Sequence, residues 1–472
     1  MGAALIRSAF SANIKERRDC STAVFDPTGR MVAQAEHIPV HLGAMPASVA
    51  AVLACDPGPD DVFILNDPYA GGTHLPDITL VSRSELGFVA TRAHHADVGG
   101  AVPGSMPADS RTLADEGVVI PPTRLDDAVL DALVAQMRNP DERCGDLRAQ
   151  LAAQSLGARR IAELCARRGR EEVMAAMDEL VAYSERRVRA GIAALPDGRY
   201  EATERLETAD GELELHAAVT IAGDALEIDF AGTAPQHGGN LNCPLAVTLS
   251  ACLFVVRVLT DPDAPASAGA LEPVTIHAPE GCLVNAQAPA AVAAGNVETS
   301  SRIVDLLFRA FGQAVPVPAQ GQGTMNNVIL GNERFTYYET IGGGQGACPD
   351  AEGPSGVHVA MSNTLSTPTE ALELAYPLRV ELHALRLGSG GAGLHRGGAG
   401  VVRELRVVEP CSLSLLSQRR RIAPAGAAGG EAGEPGRNLL NGEELPPFAS
   451  RELEPGDVLR IETPGGGGYG ST

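Results

Sequence analysis

The chain has 472 residues, 44% of them hydrophobic and 20% charged, which supplies a sizeable core and predicts two or more substructures. A formal net charge of -22 argues against nucleic acid and anionic membranes as partners, because both would repel it. Nine dispersed cysteines indicate reduced thiols in a cytoplasmic protein, and no apolar run approaches the roughly eighteen residues of a membrane span.

Residues 1–121 are predicted to be β-rich, since short apolar runs alternate with turns. A β-hairpin is predicted where two apolar runs flank a Pro/Gly turn, in STAVFD-PTG-RMVAQA. Further strands are predicted at DDVFILND, ITLVS, GFVATRAH and GVVI.

Three more regions follow, and together they predict an α+β fold with mixed and antiparallel sheets around a central helical segment. Residues 122–195 show apolar residues at helical spacing, with Asp126 and Asp127 suited to a helix start and Gly169 to a helix end. Residues 196–315 combine alternating strands with a buried helix at PLAVTLSACLFVVRVLT. Residues 316–472 are predicted to be glycine-rich strand and loop.

Histidines and aspartates are concentrated between residues 65 and 97. His74 and Asp77 flank Pro76, which restricts the backbone between them. Imidazole and carboxylate together suit Zn²⁺, Mn²⁺ or Fe²⁺. His94 and His95 follow on a predicted strand, so their side chains point to opposite faces and only one is expected to share the site.

A further ligand is available at Asp19, which precedes the predicted hairpin. Gly71, Gly72, Gly99 and Gly100 surround the histidines and would permit close approach of a ligand to the backbone. The alternative is that the His/Asp spacing arose by chance and that the glycines only make turns.

Lys15 is the single lysine among 37 basic residues, which indicates either a specific role or chance survival. Three glycine-containing polar clusters, at 295–302, 321–327 and 339–347, either line a cavity or form irregular loops. The sequence contains neither GxxxxGK[ST] nor GxSxG, so it offers no phosphate-binding loop and no serine nucleophile elbow.

Several segments, in order along the whole chain, resemble the hydantoinase B / oxoprolinase family. They are NIKERRDCSTAVFD, HIPVHLGAMP, FILNDPYAGGTHLPDITL, AHHADVGGAVPGSMP, GNVETSSRIVDLLF, PAQGQGTMNN, SNTLSTPTEALE and PGGGGYG. The resemblance implies a multi-part fold and a metal-bearing B-type subunit. It also implies an A-type partner that binds ATP and phosphorylates the oxygen of a small cyclic amide. Family members usually carry about twenty residues more at the start, so a misassigned start or a truncated first helix is expected.

By the same resemblance the metal ligands are Asp19, His74, Asp77 and His94, with His95 as the substitute for His94. We expect catalytic roles for Asp97 or Glu298 as general base and for Lys15 as a cation beside the phosphorylated intermediate. Substrate-binding roles are expected for His95, His41 and Asn296.

The expected function is the metal-bearing hydrolytic subunit of an ATP-dependent cyclic-amide hydrolase, in a hetero-oligomer with the A-type subunit. Phosphorylation would create a leaving group on a carbonyl that amide resonance makes unreactive. The alternatives are a subunit of an ATP-dependent ketone carboxylase and a non-catalytic scaffold for the A-type partner.

Overall fold

The computed structural model describes residues 1–209 and 211–471. Within these ranges the chain forms four β-sheets and ten α-helices. Among the described helices, none combines the length and the apolar character that a membrane span requires.

The first sheet is built from six antiparallel strands in the order β2-β1-β5-β4-β3-β6. Its strands are β1 (Cys20–Phe25), β2 (Met31–Glu36), β3 (Val62–Leu65), β4 (Asp77–Ser84), β5 (Gly87–His94) and β6 (Thr123–Arg124). The predicted hairpin is confirmed as β1 and β2. The predicted strand at residues 117–120 is wrong: this segment joins no sheet, although the Val118 amide donates to the Val98 carbonyl and the Ile120 carbonyl accepts from the Asn66 amide.

Helices cover both faces of this sheet. The face that carries Phe63 and Leu65 packs under α3 (Ala44–Leu53), and the face that carries Ile64 packs against α6 (Pro140–Arg168). Alternation along the strands sends neighbouring residues into these two layers. The short helices α1 (Gly2–Ser8), α2 (Ala12–Lys15), α4 (Leu113–Glu116) and α5 (Asp127–Val134) complete this part of the chain.

The central helical segment and the second sheet enclose the largest apolar core. Its helices are α7 (Arg170–Ile192), α8 (Leu245–Thr260) and α9 (Ser300–Phe311). Its sheet has the order β10-β9-β8-β7, with β10 parallel to β9, and its strands are β7 (Gly198–Glu207), β8 (Glu212–Ala222), β9 (Ala225–Asp229) and β10 (Val274–His277). Gly169 ends α6, as predicted.

The polar cluster at residues 295–302 is helical, which corrects the loop alternative. One π-helical turn, Gly295–Thr299, leads directly into α9. The ideal Cβ of Gly295 would lie 1.8 Å from the Asn242 carbonyl oxygen, so only glycine allows this turn to pack so closely.

Two antiparallel sheets form the C-terminal region. One has the order β12-β11-β15-β18 and the other β13-β14-β19-β16-β17. Their strands are β11 (Asn327–Gly331), β12 (Thr336–Glu339), β13 (Leu378–Arg386), β14 (Gly400–Val407), β15 (Cys411–Leu416), β16 (Arg437–Leu440), β17 (Glu443–Leu445), β18 (Phe448–Leu453) and β19 (Val458–Glu462), and α10 (Thr369–Ala375) precedes β13. The fold is therefore mixed α+β with several antiparallel sheets, as the sequence predicts.

Candidate metal centre

Three acidic and imidazole side chains lie in a row across the end of the first sheet. Asp77 is the first residue of β4 and pairs directly with His94, the last residue of β5. On the other side of β5, the His94 amide donates to the Asp19 carbonyl at 3.1 Å, one residue before β1 begins. Residues opposed across antiparallel strands point to the same face. The strand pairing therefore brings the three side chains together.

Two further histidines reach the same point from turns. His74 lies in the turn before β4, and its Nε2 is 3.3 Å from Asp77 Oδ2 and 3.2 Å from His94 Nδ1. His41 ends the 3₁₀ turn Pro39–His41, and its Nε2 is also 3.3 Å from Asp77 Oδ2. His94 Nδ1 lies 3.4 Å from Asp77 Oδ1. Asp77 is thus the centre of the cluster.

Burial and mutual charge perturb these groups strongly. Burial, reinforced by the Asp77 carboxylate, raises the pKa of Asp19 to about 7. Burial alone would also raise the pKa of Asp77, but His74 and His41 hold that pKa well below its usual range. Burial lowers the pKa of His94 to about 3 and also lowers that of His41. These two imidazoles are therefore neutral near pH 7, the form that can bind a metal.

The donor set fits a divalent transition metal. Two subsets, His74 with Asp77 and His94, and Asp19 with His41 and Asp77, each offer ligand atoms within 4.8 Å of one another. Imidazole nitrogens with carboxylate oxygens suit Zn²⁺, Mn²⁺ or Fe²⁺. Outer contacts orient the ligands: Thr73 donates its hydroxyl to Asp77 Oδ2 at 2.6 Å, and Ser21 Oγ lies 2.9 Å from His41 Nδ1.

The cluster opens into a small cavity, called here the metal cavity, whose free space is about 20 Å³. That space is enough for one water-sized group. The cavity is completed by side chains from distant parts of the chain, which are Asn296, Val297, Met325, Tyr338, Thr340, Ser362 and Thr364, together with Ile38 and Val40. The buried Asn296 Oδ1 has no hydrogen-bond partner among the described residues, and Asn296 lines the cavity.

A buried cation and an aromatic ring support His94. Tyr338 stacks on His94 with ring centroids 4.5 Å apart, and the Arg17 guanidinium lies 4.8 Å from the centroid of the Tyr338 ring. Arg17 also donates to the Tyr338 carbonyl and to Thr340 Oγ1, each at 2.6 Å. This layer joins the first sheet to the C-terminal region.

The structure separates His95 from His94. His95 points to the α6 face of the sheet, where its Nε2 lies 2.9 Å from Gln150 Oε1. It does not line the metal cavity, so both its substrate-binding role and its role as a substitute ligand are corrected. His41, expected to bind substrate, instead lies within the cluster and is a candidate ligand.

Asp97 is placed in a loop rather than in the cavity. Its carboxylate accepts hydrogen bonds from the amides of Gly99, Gly104 and Arg138, and it also pairs with the Arg138 guanidinium. Both carboxylate oxygens are thereby engaged. The role of general base is therefore not retained for Asp97.

Glu298 and Lys15 also lie outside the metal cavity. Burial raises the pKa of Glu298 to about 7, and its Oε1 accepts from Asn327 Nδ2, while Asn327 Oδ1 accepts from Tyr338. Glu298 thus reaches the cluster only through two intervening side chains. Lys15 is exposed and lines a separate surface cleft of about 500 Å³. The cation beside the site is Arg17, two residues further on.

Several site residues carry no signal in the sequence. Arg17 is one of many arginines, and Tyr338 belongs to an ordinary strand. His358 is partly buried and bonds two hydroxyls of the metal cavity, Ser362 Oγ at 2.6 Å and Thr364 Oγ1 at 3.2 Å. Tyr338 and His358 are more than 200 positions from His94, and Arg17 lies on another element. Only the tertiary fold therefore shows that these residues are close to the site.

Comparisons with known proteins agree with this architecture. The hydantoinase B/oxoprolinase family model matches residues 1–472. 5-oxoprolinase 1 of Arabidopsis thaliana is 39% identical across the whole chain, which spans 40% of the length of that protein. The crystal structure of the ATP-dependent caprolactamase from Pseudomonas jessenii superposes with a TM-score of 0.91 at 28% identity, covering 99% of this chain and 88% of that one. An acetone carboxylase structure shares the fold with a TM-score of 0.89 at 18% identity, covering 99% and 74%. The chain therefore belongs to the hydantoinase B/oxoprolinase family.

Proposed function

We propose that this chain is the metal-bearing hydrolytic component of an ATP-dependent hydrolase of small cyclic amides. One observation carries the proposal: five buried imidazole and carboxylate groups converge at the end of the first sheet, in a protein of this family. The likeness to 5-oxoprolinases and to a caprolactamase supports a lactam or hydantoin as the substrate class.

The residues divide into two tasks. Asp19, His41, His74, Asp77 and His94 would hold the metal. A metal held there would act as a Lewis acid and supply hydroxide near neutral pH. Asn296, whose carboxamide oxygen has no partner within the described part of the chain, would accept a hydrogen bond from the substrate, and the closely packed cavity walls would exclude bulk water.

ATP would be used by a partner. The sequence has no phosphate-binding loop, and the 5-oxoprolinases are longer chains of which this one spans about 40%. We infer that an A-type subunit binds ATP and phosphorylates the carbonyl oxygen of the cyclic amide, and that the activated carbonyl group then reaches the metal cavity. The shared fold with acetone carboxylase supports a second candidate, carboxylation of a ketone by a comparable complex.

Ring opening coupled to ATP consumption tests the proposal. The chain is combined with its cognate A-type subunit and assayed on 2-pyrrolidinone, 5-oxoproline, hydantoin and caprolactam, with each component omitted in turn. We expect ring opening only when both subunits and ATP are present, and we expect His74→Ala to abolish it. Hydrolysis by the isolated chain without ATP, or carboxylation of acetone by the pair, would overturn the assignment.

A further inference from the structure

A second cavity of about 240 Å³ lies between α8 and α9. Phe254 and Val258 of α8, Val304 and Phe308 of α9, and Val359 form its apolar walls. Typical pockets for drug-sized ligands enclose about 300–1,000 Å³, so this one suits a smaller molecule. The metal cavity, with about 20 Å³, has no room for a ring.

The same three chain segments line both cavities. The turn before α9 and α9 itself provide Asn296 and Val297 to the metal cavity, and Val304 and Asp305 to the second cavity. Residues 319–321 line the second cavity, and Met325 lines the metal cavity. The two cavities are therefore neighbours along each of these segments.

The third shared segment suggests how the cavities communicate. Val359 and Ala360 line the second cavity, whereas Ser362 lines the metal cavity. Between them in sequence is Met361, which is fully buried in the core together with Met325. Methionine side chains are unbranched and rotate at low cost, so a ring could pass where branched side chains would block it.

Two polar groups in the second cavity are free to bind. Asp305 Oδ2 accepts from Arg419 at 2.7 Å and from Arg302 at 3.3 Å, which compensates the carboxylate charge. Among the described residues, neither Asp305 Oδ1 nor the side-chain amide of Gln345 has a hydrogen-bond partner, and both residues line the cavity. A carboxylate oxygen accepts an N–H, and a carboxamide can pair with both the N–H and the C=O of a cis amide.

We propose that the second cavity binds the ring of the cyclic amide next to the metal cavity, with its methylenes against α8 and α9 and its amide edge on Asp305 and Gln345. The inference rests on the proposed function for the identity of the ring. It adds a specificity site: the volume between α8, α9 and Val359 sets the ring size that the protein accepts.

Binding of a ring to the isolated full-length chain tests this inference without turnover. 2-Pyrrolidinone and caprolactam are titrated at millimolar concentration and followed by ligand-observed NMR, with metal content measured in the same samples. We expect Val359→Phe to fill the cavity and Gln345→Leu to remove the amide contact, each weakening binding by about tenfold or more with metal content unchanged. Val408→Phe, the same change at a valine that is 46% exposed and outside both cavities, is the matched control.

The outcomes separate this inference from the proposed function. Rings that bind the wild type and both cavity variants equally, or that bind none of them, would overturn the second cavity as a ring site, even if the chain retains metal and coupled ring opening. Ring binding lost in both variants but kept in Val408→Phe supports the site, even if coupled ring opening fails with the A-type partner. The Gln345→Leu variant keeps the test decisive if Val359→Phe does not fold.

Discussion

His94 and His95 are adjacent, both buried, and on opposite sides of one sheet. His94 faces two carboxylates and two more imidazoles, whereas His95 faces the α6 helix, where it is hydrogen-bonded to Gln150. Two side chains of the same type therefore have different roles: His94 belongs to a candidate metal centre on one face, and His95 belongs to the polar part of a helix–sheet interface on the other. Strand alternation decides the role, because consecutive side chains point to opposite faces.

The two faces also differ in how far their partners lie along the chain. The metal face collects ligands from β4, from β5, from the residue before β1 and from two turns, and it is covered by Tyr338 and Thr340 of the C-terminal region. On the α6 face, Gln150 and Gln154 of α6 donate directly to backbone carbonyls of β4. A change on the metal face should therefore affect metal binding and the contacts between regions, and a change on the α6 face should affect mainly local stability.

The largest expected effect is loss of metal from the double variant His74→Ala, Asp77→Asn. Asp77 lies within 3.4 Å of three imidazoles, so the pair removes the centre of the donor set. Elemental analysis of the purified wild type should find about one transition metal per chain, and the variant should retain less than about a tenth of that. Stoichiometric metal in the double variant would show that this face of the sheet does not bind the metal.

Alanine at each of the adjacent histidines sharpens the comparison directly. His94→Ala should weaken metal affinity by about 100-fold or more, because a ligand is lost. His95→Ala should keep the metal but lower the free energy of unfolding by about 2–4 kcal/mol, since it leaves a void and an unpaired Gln150 amide oxygen. Metal titration and urea unfolding measure the two effects. The opposite result, metal lost from His95→Ala alone, would show that the other strand face binds the metal.

The two neighbouring cations offer a similar contrast. Arg17 is fully buried and bonds the Tyr338 carbonyl and Thr340, whereas Lys15 is exposed on another cleft. Arg17→Met should lower the free energy of unfolding by about 3 kcal/mol, because two buried acceptors lose a charged donor. Lys15→Met should leave both stability and coupled turnover within about twofold of wild type. A tenfold slower Lys15→Met enzyme with normal stability would restore the catalytic role that its rarity in the sequence suggested.

The sequence was informative where the chemistry is local. Three predicted features lie within or beside strands whose alternation of apolar and polar residues is visible in the sequence. They are the pair His74 and Asp77, the adjacent histidines that point to opposite faces, and the hairpin after Asp19. The sequence does not predict His41 as a ligand, because only the return of the chain after β2 places it 3.3 Å from Asp77. The sequence offers Asp97 and Glu298 as candidate bases, because no pattern in it shows which carboxylates the fold engages elsewhere.

The smallest expected effect concerns a second pair of adjacent residues, Tyr337 and Tyr338 on β12. Tyr338 stacks on His94 and donates to Asn327 at 2.9 Å, while Tyr337 faces away and donates to Glu339 at 2.6 Å. Tyr338→Phe keeps the stacked ring and loses one hydrogen bond, so it should lower the free energy of unfolding by about 1 kcal/mol and leave metal affinity unchanged.

Removal of the aromatic ring should change metal affinity at Tyr338 but not at Tyr337. Tyr338→Leu abolishes the stack, so we expect metal affinity to fall by about tenfold as the His94 imidazole loses its fixed orientation. Tyr337→Leu is the matched control, because it removes an equally buried ring from the face that does not contact His94. Equal metal affinity in Tyr338→Leu and Tyr337→Leu would mean that strand pairing alone orients His94. The C-terminal region would then cover the metal cavity without positioning its ligands.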